Sequence, residues 1–292
     1  MKNKFLYVVT ILIWGSTWIA IKYQLGSVDP LISTFYRFAL AAIILVLFCS
    51  LRGLNMKFTI KEHLFLALFG LLLFSINYWM VYLAEIHITS GVVAVTFSSI
   101  VFMNIFNGAI FLKTPIKSQM VFGAVIGIIG IGFIFAQEIQ SFDFSDKSVQ
   151  GLSMCFLSVL LASFGNIVSA RNSEKGLPII QANAFGMAYG SIILLLLAVF
   201  LGKEFTISLT TPYITSLLYL TVFGSILAFG SYLTLIGEIG ADKASYAIMV
   251  VPVVALIISS FFEGYVWNLQ AVLGLVLVLA GNFLALRRRI HA

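Results

Sequence analysis

The chain has 292 residues, of which 61% are apolar and only 10% are charged, and its formal net charge is +6. A water-soluble domain carries about 25% charged residues, so this composition excludes a soluble globular protein and predicts an integral membrane protein. The positive charge does not indicate nucleic-acid binding, because the basic residues lie in short loops between apolar runs and leave no soluble domain to carry such a site.

Ten apolar runs follow one another along the chain, and each is close to the ~20 residues that a helix needs to cross the hydrocarbon core. The first run is long and shows no cleavage pattern, so we expect a retained membrane span and not a signal peptide. Barrel strands would be shorter, with alternating polarity. The predicted spans are 5–22, 31–51, 63–84, 90–112, 119–137, 149–170, 178–201, 212–236, 243–262 and 268–286.

Lysine and arginine are unevenly distributed between the loops on the two sides of the membrane. If the N-terminus is cytoplasmic, 13 of the 17 basic residues fall on the cytoplasmic side, three fall on the other side, and Arg37 lies within the second span. Cytoplasmic loops carry the excess of Lys and Arg. We therefore predict a protein of the cytoplasmic (inner) membrane with both termini inside, the final triplet Arg287–Arg289 included.

The two halves of the chain carry matching residues in the same order. The pattern Gln-x3-Gly-x6-Gly begins at Gln119 and again at Gln270, which is 151 residues later. Pro30 and Pro178 open the second and seventh spans at a similar offset. One such match is weak evidence between apolar helices, but the ordered set indicates a duplication with a first repeat at 1–140.

The second repeat, at 149–292, must enter the membrane upside down, because the first contains an odd number of spans, namely five. Inverted repeats of this kind are a recurring plan of secondary transporters, since each half can close one mouth of a shared cavity. The sequence thus predicts an all-α membrane protein with ten transmembrane helices, arranged as two inverted five-helix repeats around a central cavity.

Several segments resemble the EamA-type branch of the drug/metabolite transporter superfamily. They are Ile-Trp-Gly-Ser-Thr-Trp at 13–18, Phe-Tyr-Arg-Phe-Ala-Leu at 35–40, the run at 77–85, and Pro-Val-Val-Ala at 252–255 with Phe-Phe-Glu-Gly-Tyr at 261–265. The resemblance spans about residues 5 to 286. It implies a ten-helix permease whose cavity is lined by spans one to four and six to nine, and whose function is export of amino acids or other small metabolites.

The two halves are not equivalent in their charged residues. Phe185 occupies the region of span seven that corresponds to Arg37, and Ser98 and Ser99 occupy the region of span four that corresponds to Pro252. We therefore do not expect a charge-symmetric site. Pro252 lacks an amide hydrogen and interrupts the hydrogen bonds of span nine, which makes it a candidate hinge.

Arg37 is the only basic residue well inside an apolar run. An arginine in hydrocarbon costs roughly 2.5–3.5 kcal/mol even on the insertion scale, so we expect its guanidinium to face protein or water. Two interpretations stay open. The side chain either snorkels or caps carbonyls of a neighbouring helix, or it contacts a carboxylate of the substrate.

Span three offers a polar and aromatic face that includes Asn77, Tyr78 and Tyr82. The tyrosines are four residues apart, so they share a side of the helix, and their rings suit zwitterionic or aromatic solutes. An interfacial aromatic belt is the alternative, above all for Tyr82 near the outer boundary. Helix packing is the alternative for Trp14, Ser98 and Asn166. The other candidates for substrate binding are Trp14, Thr17, Ser98, Asn166, Tyr232 and Tyr246.

The remaining expectations concern chemistry and partners. The three histidines and two cysteines show no ligand-like spacing, so neither a metal nor another cofactor is expected, and no carboxylate lies at mid-membrane to serve as an evident proton relay. We expect a secondary transporter with a small-molecule substrate, in contact with membrane lipid, as a monomer or weak dimer. The alternative is a membrane-embedded enzyme or a receptor-like subunit without transport activity.

Overall fold

The structure, a computed structural model, is helical throughout the part of the chain that it describes, with no strand among those residues. The triplet Arg287–Arg289 and the beginning of the predicted span 90–112 lie outside that part. The described residues are 2–26, 28–88, 93, 96–140, 142, 144–262 and 267–286.

The helices follow the apolar runs of the sequence. The N-terminal part contains α1 (Lys2–Lys22), α2 (Pro30–Leu51), α3 (Ile60–Leu73), α4 (Ile76–His87), α5 (Ile100–Phe111), α6 (Ser118–Ile134) and α7 (Ala136–Gln140). The C-terminal part contains α8 (Asp146–Glu174), α9 (Ile179–Phe200), α10 (Thr211–Tyr219), a π-helix (Leu220–Leu227), α11 (Ala228–Ile239), α12 (Ala241–Ala244), α13 (Tyr246–Phe262) and α14 (Leu269–Leu286).

Local sequence signals set the ends of these helices. Asp29 caps α2 by accepting a hydrogen bond from the backbone N–H of Leu31 at 2.8 Å, and Pro30 occupies the first turn, where no intrahelical donor is needed. Gly53 after α2 and Gly202 after α9 both adopt positive φ, 61° and 62°. Glycine adopts this conformation without a steric penalty, so both helices stop in the same way.

Six helical stretches are long and apolar enough to cross a membrane. Together with the apolar composition they make the chain an integral membrane protein. The other four predicted spans do not meet the same length and composition over the described residues, so the count of ten stays a prediction. The six stretches are Pro30–Leu51, Ile60–His87, Asp146–Glu174, Ile179–Phe200, Thr211–Ile239 and Ala241–Ile258.

Large apolar side chains cover the outside of the bundle. Leu47, Phe122, Leu196 and Val276 are each more than half exposed, although they belong to four different helices. Such an extended apolar surface has no favourable contact with water and marks a membrane-facing surface. Lipid, rather than a second layer of protein, is the natural solvent for these side chains.

Helices of the two parts pack against each other in corresponding combinations. In the N-terminal part, α1 contacts α11 and α13, whereas α8 of the C-terminal part contacts α3, α4 and α5. Helix α2 contacts the π-helix, and α9 contacts α3. Two further contacts join α2 to α9 and α6 to α14. The two parts therefore form one interlocked bundle.

Helices α6 and α14 cross at unusually short range. A Cβ atom added to Gly130 would lie 2.7 Å from the carbonyl oxygen of Gly274, and one added to Gly123 would lie 2.6 Å from that of Gly281. The converse additions, at Gly274 and Gly281, would each approach the opposite carbonyl oxygen to 2.5 Å. Only glycine fits at these four positions, as expected for small-residue packing of membrane helices.

Candidate functional site

A cavity lies between the two parts of the bundle. The cavity has a volume of about 100 Å³. Ten of its lining residues come from the N-terminal part and six from the C-terminal part. They are Trp14, Thr17, Ile21, Arg37, Leu73, Asn77, Tyr78, Val81, Phe97, Ile100, Ala162, Asn166, Phe229, Tyr232, Ile248 and Val251.

Arg37 contributes the only charged side chain among these lining residues. It is 1% exposed, and its Nε donates a hydrogen bond to Ser225 Oγ at 2.8 Å. The guanidinium carbon lies 4.8 Å from the ring centroid of Tyr78 and 5.3 Å from that of Phe38, so both rings contribute cation–π attraction. Its buried Nη1 has no hydrogen-bond partner within the described part of the chain. Among the described residues no carboxylate forms an ion pair with Arg37.

An aromatic wall stands in the same cavity. The ring of Trp14 lies 5.0 Å from the rings of both Phe229 and Tyr232, edge-on to the first and tilted to the second. Its indole N–H donates to the carbonyl oxygen of Gly224 at 3.2 Å, which fixes the ring in the wall. Tyr78 meets Phe229 with 6.0 Å between ring centroids. The wall offers a flat apolar surface to an occupant.

Two asparagines line the cavity and differ in how far their amides are satisfied. Asn77 donates to the carbonyl oxygen of Ser158 at 2.7 Å, and Ser158 Oγ donates back to the Asn77 carbonyl at 3.1 Å, so this pair joins α4 to α8. Asn166 donates to the hydroxyl of Tyr232 at 3.1 Å, but its buried Oδ1 meets no hydrogen-bond donor in the residues that the structure describes. Asn166 therefore retains an unused acceptor next to the cavity.

The structure brings most of the predicted substrate-binding residues together in this cavity. They come from helices that are distant in sequence, and the bundle juxtaposes them by packing α1, α2, α4, α8 and α11. Seven of the ten line it: Trp14, Thr17, Arg37, Asn77, Tyr78, Asn166 and Tyr232.

The other three predicted residues are not among the lining side chains. Tyr82 is fully buried, and its hydroxyl donates to Gln24 Oε1 at 3.0 Å. Tyr246 is also fully buried, and its hydroxyl donates to the carbonyl oxygen of Met120 in α6. Ser98 is 1% exposed and is not among the lining residues. Tyr82 thus links α4 to the turn after α1, and Tyr246 links α13 to α6.

The candidate hinge lies inside a helix that contributes to the cavity wall. Pro252 follows Val251, which lines the cavity, and both belong to α13. Proline cannot donate the backbone hydrogen bond of its turn. A bend at this position would move Ile248 and Val251 relative to the other lining residues. The position of Pro252 therefore suits a hinge, and its role as one stays a prediction.

The segment that faces Arg37 was not predicted from the sequence. Thr221, Gly224 and Ser225 lie in the π-helix; Ser225 bonds to the Arg37 Nε, and Thr221 donates to the Arg37 carbonyl oxygen at 3.5 Å. A signal was available, because these small and polar residues stand at i, i+3 and i+4 within an apolar run, a spacing that places them on one helix face.

Removing the hydroxyl of Tyr246 tests its role as a connection between helices. Tyr246→Phe deletes the bond to the Met120 carbonyl, and a hydrogen bond between membrane helices contributes about 0.5–1.5 kcal/mol. We expect a lower midpoint of thermal unfolding in detergent micelles, whereas Tyr23→Phe, at an exposed tyrosine, should leave it unchanged. Equal midpoints for the two variants would contradict this role.

Metal binding finds no support in the described part of the chain. No group of three or more His, Cys, Asp or Glu side chains lies close enough there to hold an ion. The cavity offers instead a guanidinium, two amides, a threonine hydroxyl and aromatic rings. These groups bind and orient a solute by hydrogen bonds, charge and stacking.

Comparison with known proteins gives the same picture along the whole length. The EamA-like transporter family model matches residues 2–136 and 149–287. Protein PagO of Salmonella typhimurium is 22% identical over 97% of this chain and 92% of its own length. The uncharacterized inner membrane transporter YedA of Escherichia coli K12 is 29% identical over 87% of this chain and 80% of its own.

Two further matches extend the comparison. The uncharacterized transporter YoaV of Bacillus subtilis is 26% identical over 94% of this chain and 92% of its own length. One protein of known crystal structure superposes with a TM-score of 0.80 over 97% of this chain and 96% of that chain, at 14% sequence identity. At this low identity the superposition establishes a shared fold.

Proposed function

The chain belongs to the EamA-like transporter family, and on that premise we propose that it is a secondary transporter of the cytoplasmic membrane. Its substrates are amino acids or similar small metabolites, which it exports by alternating access. The relatives YedA and YoaV are named as transporters, and YedA as an inner membrane transporter. The exposed apolar side chains of the bundle agree with that location.

One observation carries the proposed substrate class: the cavity contains an unpaired cationic donor and an unpaired neutral acceptor. Arg37 Nη1 and Asn166 Oδ1 are both buried, neither has a partner among the residues whose placement is described, and both residues line the same cavity. A buried polar group without a partner costs free energy. An occupant with a carboxylate and an ammonium group would satisfy both atoms, and the aromatic wall would cover its apolar part.

The proposed architecture is ten membrane helices in two inverted repeats. When the two parts of the chain are exchanged, α1 takes the place of α8. The contacts that α1 makes with α11 and α13 then correspond to those that α8 makes with α3, α4 and α5. The same exchange converts the Gly123–Gly281 approach into the Gly274–Gly130 approach. The family model also matches the chain in two segments. These correspondences support a pseudo-two-fold axis between the two parts.

Alternating access follows from that arrangement by a simple physical argument. The cavity is lined from both parts of the bundle. Two similar halves of opposite orientation give two conformations of comparable energy, each open to one side. The excess of basic residues in alternate loops supports a cytoplasmic location of both termini. The solute and the surrounding lipid are the partners that this function requires, and one chain, as a monomer or weak dimer, forms the whole cavity.

A counterflow assay tests the function without assuming a direction of transport. Purified protein is reconstituted in liposomes that contain one unlabelled amino acid, and the entry of the same labelled amino acid is followed without ATP. We expect entry to exceed that into protein-free liposomes, and we expect the carboxylate form of a solute to be carried in preference to its amide, which cannot pair with Arg37. A broad panel of amino acids and small carboxylates with no counterflow would refute the proposal.

A further inference from the structure

A π-helix lies directly against the buried arginine. Residues Leu220–Leu227 form it, between α10 and α11, and it packs against α2. Ser225 Oγ accepts from Arg37 Nε at 2.8 Å. Isolated π-helical turns are rare and occur frequently at functional sites. This one places a hydroxyl and a glycine where the guanidinium lies.

Gly224 supplies the space for the guanidinium. A Cβ atom at this position would lie 3.1 Å from Arg37 Nη2 and 3.1 Å from Thr17 Cγ2, both tighter than ordinary van der Waals contact. The carbonyl oxygen of Gly224 also accepts the Trp14 indole N–H. One backbone segment therefore contacts the arginine, the threonine and the tryptophan of the cavity wall.

The geometry has a consequence for the orientation of the guanidinium. The group is planar, so a hydrogen bond at Nε limits rotation of the whole plane and fixes the directions of both terminal nitrogens. Gly224 lets Nη2 approach the π-helix backbone, while Nη1 has no partner in the described stretches of the chain. The π-helix thus holds one side of the guanidinium and leaves Nη1 available.

We propose that Ser225 and Gly224 are positioning residues, which orient the Arg37 guanidinium so that Nη1 pairs with a carboxylate of the transported solute. They act through Arg37 and do not themselves touch the solute. This inference rests on the proposed function. The selectivity for a carboxylate would then depend on α2 and the π-helix together. Ser225 is fully buried, as expected for a residue that contacts Arg37 and not the solute.

The first test removes the hydroxyl. In Ser225→Ala the KM for a carboxylate solute is expected to rise about tenfold, because a hydrogen bond to a charged group is lost, while Vmax changes little. The preference for the carboxylate over its amide should fall by a similar factor. Ser225→Thr, which keeps a hydroxyl, should restore both values. Ser216→Ala is the matched control, since the hydroxyl of buried Ser216 donates to the Tyr213 carbonyl within α10.

The second test fills the space beside the guanidinium. Gly224→Ala is expected to raise the KM for the carboxylate solute several-fold by displacing Arg37. Gly230→Ala is the matched control, because Gly230 lies in α11, which directly follows the π-helix, and no described atom lies within 4 Å of a Cβ at that position. The KM of this variant should equal that of the unaltered protein. A KM that changes equally in the two variants would overturn the role of Gly224.

A third measurement follows Arg37 without any transported solute. Arg37 is buried, so its Nε–H should exchange slowly with water in nitrogen-15 NMR of the protein in micelles, and its signal is identified by its absence in Arg37→Lys. Exchange is expected to be at least about tenfold faster in Ser225→Ala than in Ser216→Ala. If no carboxylate is carried at all, the proposed function fails, and this measurement still decides whether Ser225 fixes the guanidinium. Unchanged exchange, or changed exchange with unchanged KM and selectivity, overturns the positioning proposal.

Discussion

Replacement of Arg37 by methionine is expected to lower the initial rate of carboxylate transport by about a hundredfold and to leave thermal stability unchanged or raised. The expected loss reflects about 2–5 kcal/mol for removing one partner of a buried, hydrogen-bonded charge pair. The expected effect of the same replacement on stability has the opposite sign. Arg37 is 1% exposed and its Nη1 has no partner among the described residues, so the shorter, uncharged methionine removes the cost of burying that charge. Counterflow and the midpoint of thermal unfolding measure the two effects on one sample.

The two readouts together separate the two roles that the sequence leaves open for Arg37. A purely structural arginine would lose stability and activity in parallel when it is replaced. Arg171→Met is the matched control, because Arg171 bonds to Asn172 and lies 3.4 Å from the centroid of the Phe65 ring, away from the cavity. We expect Arg171→Met to leave the KM unchanged. A strongly destabilised Arg37→Met variant that retains the KM of the unaltered protein would assign Arg37 to the scaffold.

The sequence predicts the helices and the central arginine well, for physical reasons. A run of about 20 apolar residues has few outcomes other than a membrane helix, and Pro30–Leu51 and Ile179–Phe200 end within one residue of the runs predicted for them. A charge inside such a run must face protein or water. Arg37 accordingly lies in the bundle and lines the cavity.

The sequence cannot assign each polar side chain to the cavity or to a helix contact. In a soluble protein the apolar face of a helix identifies its buried side, but lipid and protein interior are equally apolar, so that contrast is missing here. Tyr232 and Tyr246 both lie in apolar runs of the second half, yet the first lines the cavity and the second bonds to the Met120 carbonyl. Their difference depends on how α11 and α13 rotate in the bundle.

The π-helix could not be predicted from the sequence for a related reason. The run around Thr221, Gly224 and Ser225 has the apolar composition of any membrane helix. Helix propensities do not distinguish a π-helical turn, which contains one residue more, from an α-helical turn. Tertiary contacts with Arg37 and Trp14 accompany it. The spacing of the small and polar residues could have identified the face, but not the partner.

Alanine at any of the four glycines where α6 crosses α14 is expected to destabilise the protein by about 1–3 kcal/mol. A Cβ there would lie 2.5–2.7 Å from a backbone carbonyl oxygen of the opposite helix, so the two backbones must separate along the crossing. The higher helix propensity of alanine offsets about 1 kcal/mol of this cost. Thermal unfolding of the single variants in micelles measures the net effect. The four are Gly123, Gly130, Gly274 and Gly281.

Gly132→Ala is the matched control, because Gly132 lies two residues from Gly130 in α6 and nothing approaches a Cβ there within 4 Å. That variant should be as stable as the unaltered protein or slightly more stable. A two-fold relation between the two parts of the chain makes a further prediction about these four variants. It exchanges Gly130 with Gly281 and Gly123 with Gly274, so the members of each pair should lose similar stability. A large loss in one member of a pair with none in the other would contradict the inverted repeat, whereas four neutral variants would contradict the close crossing itself.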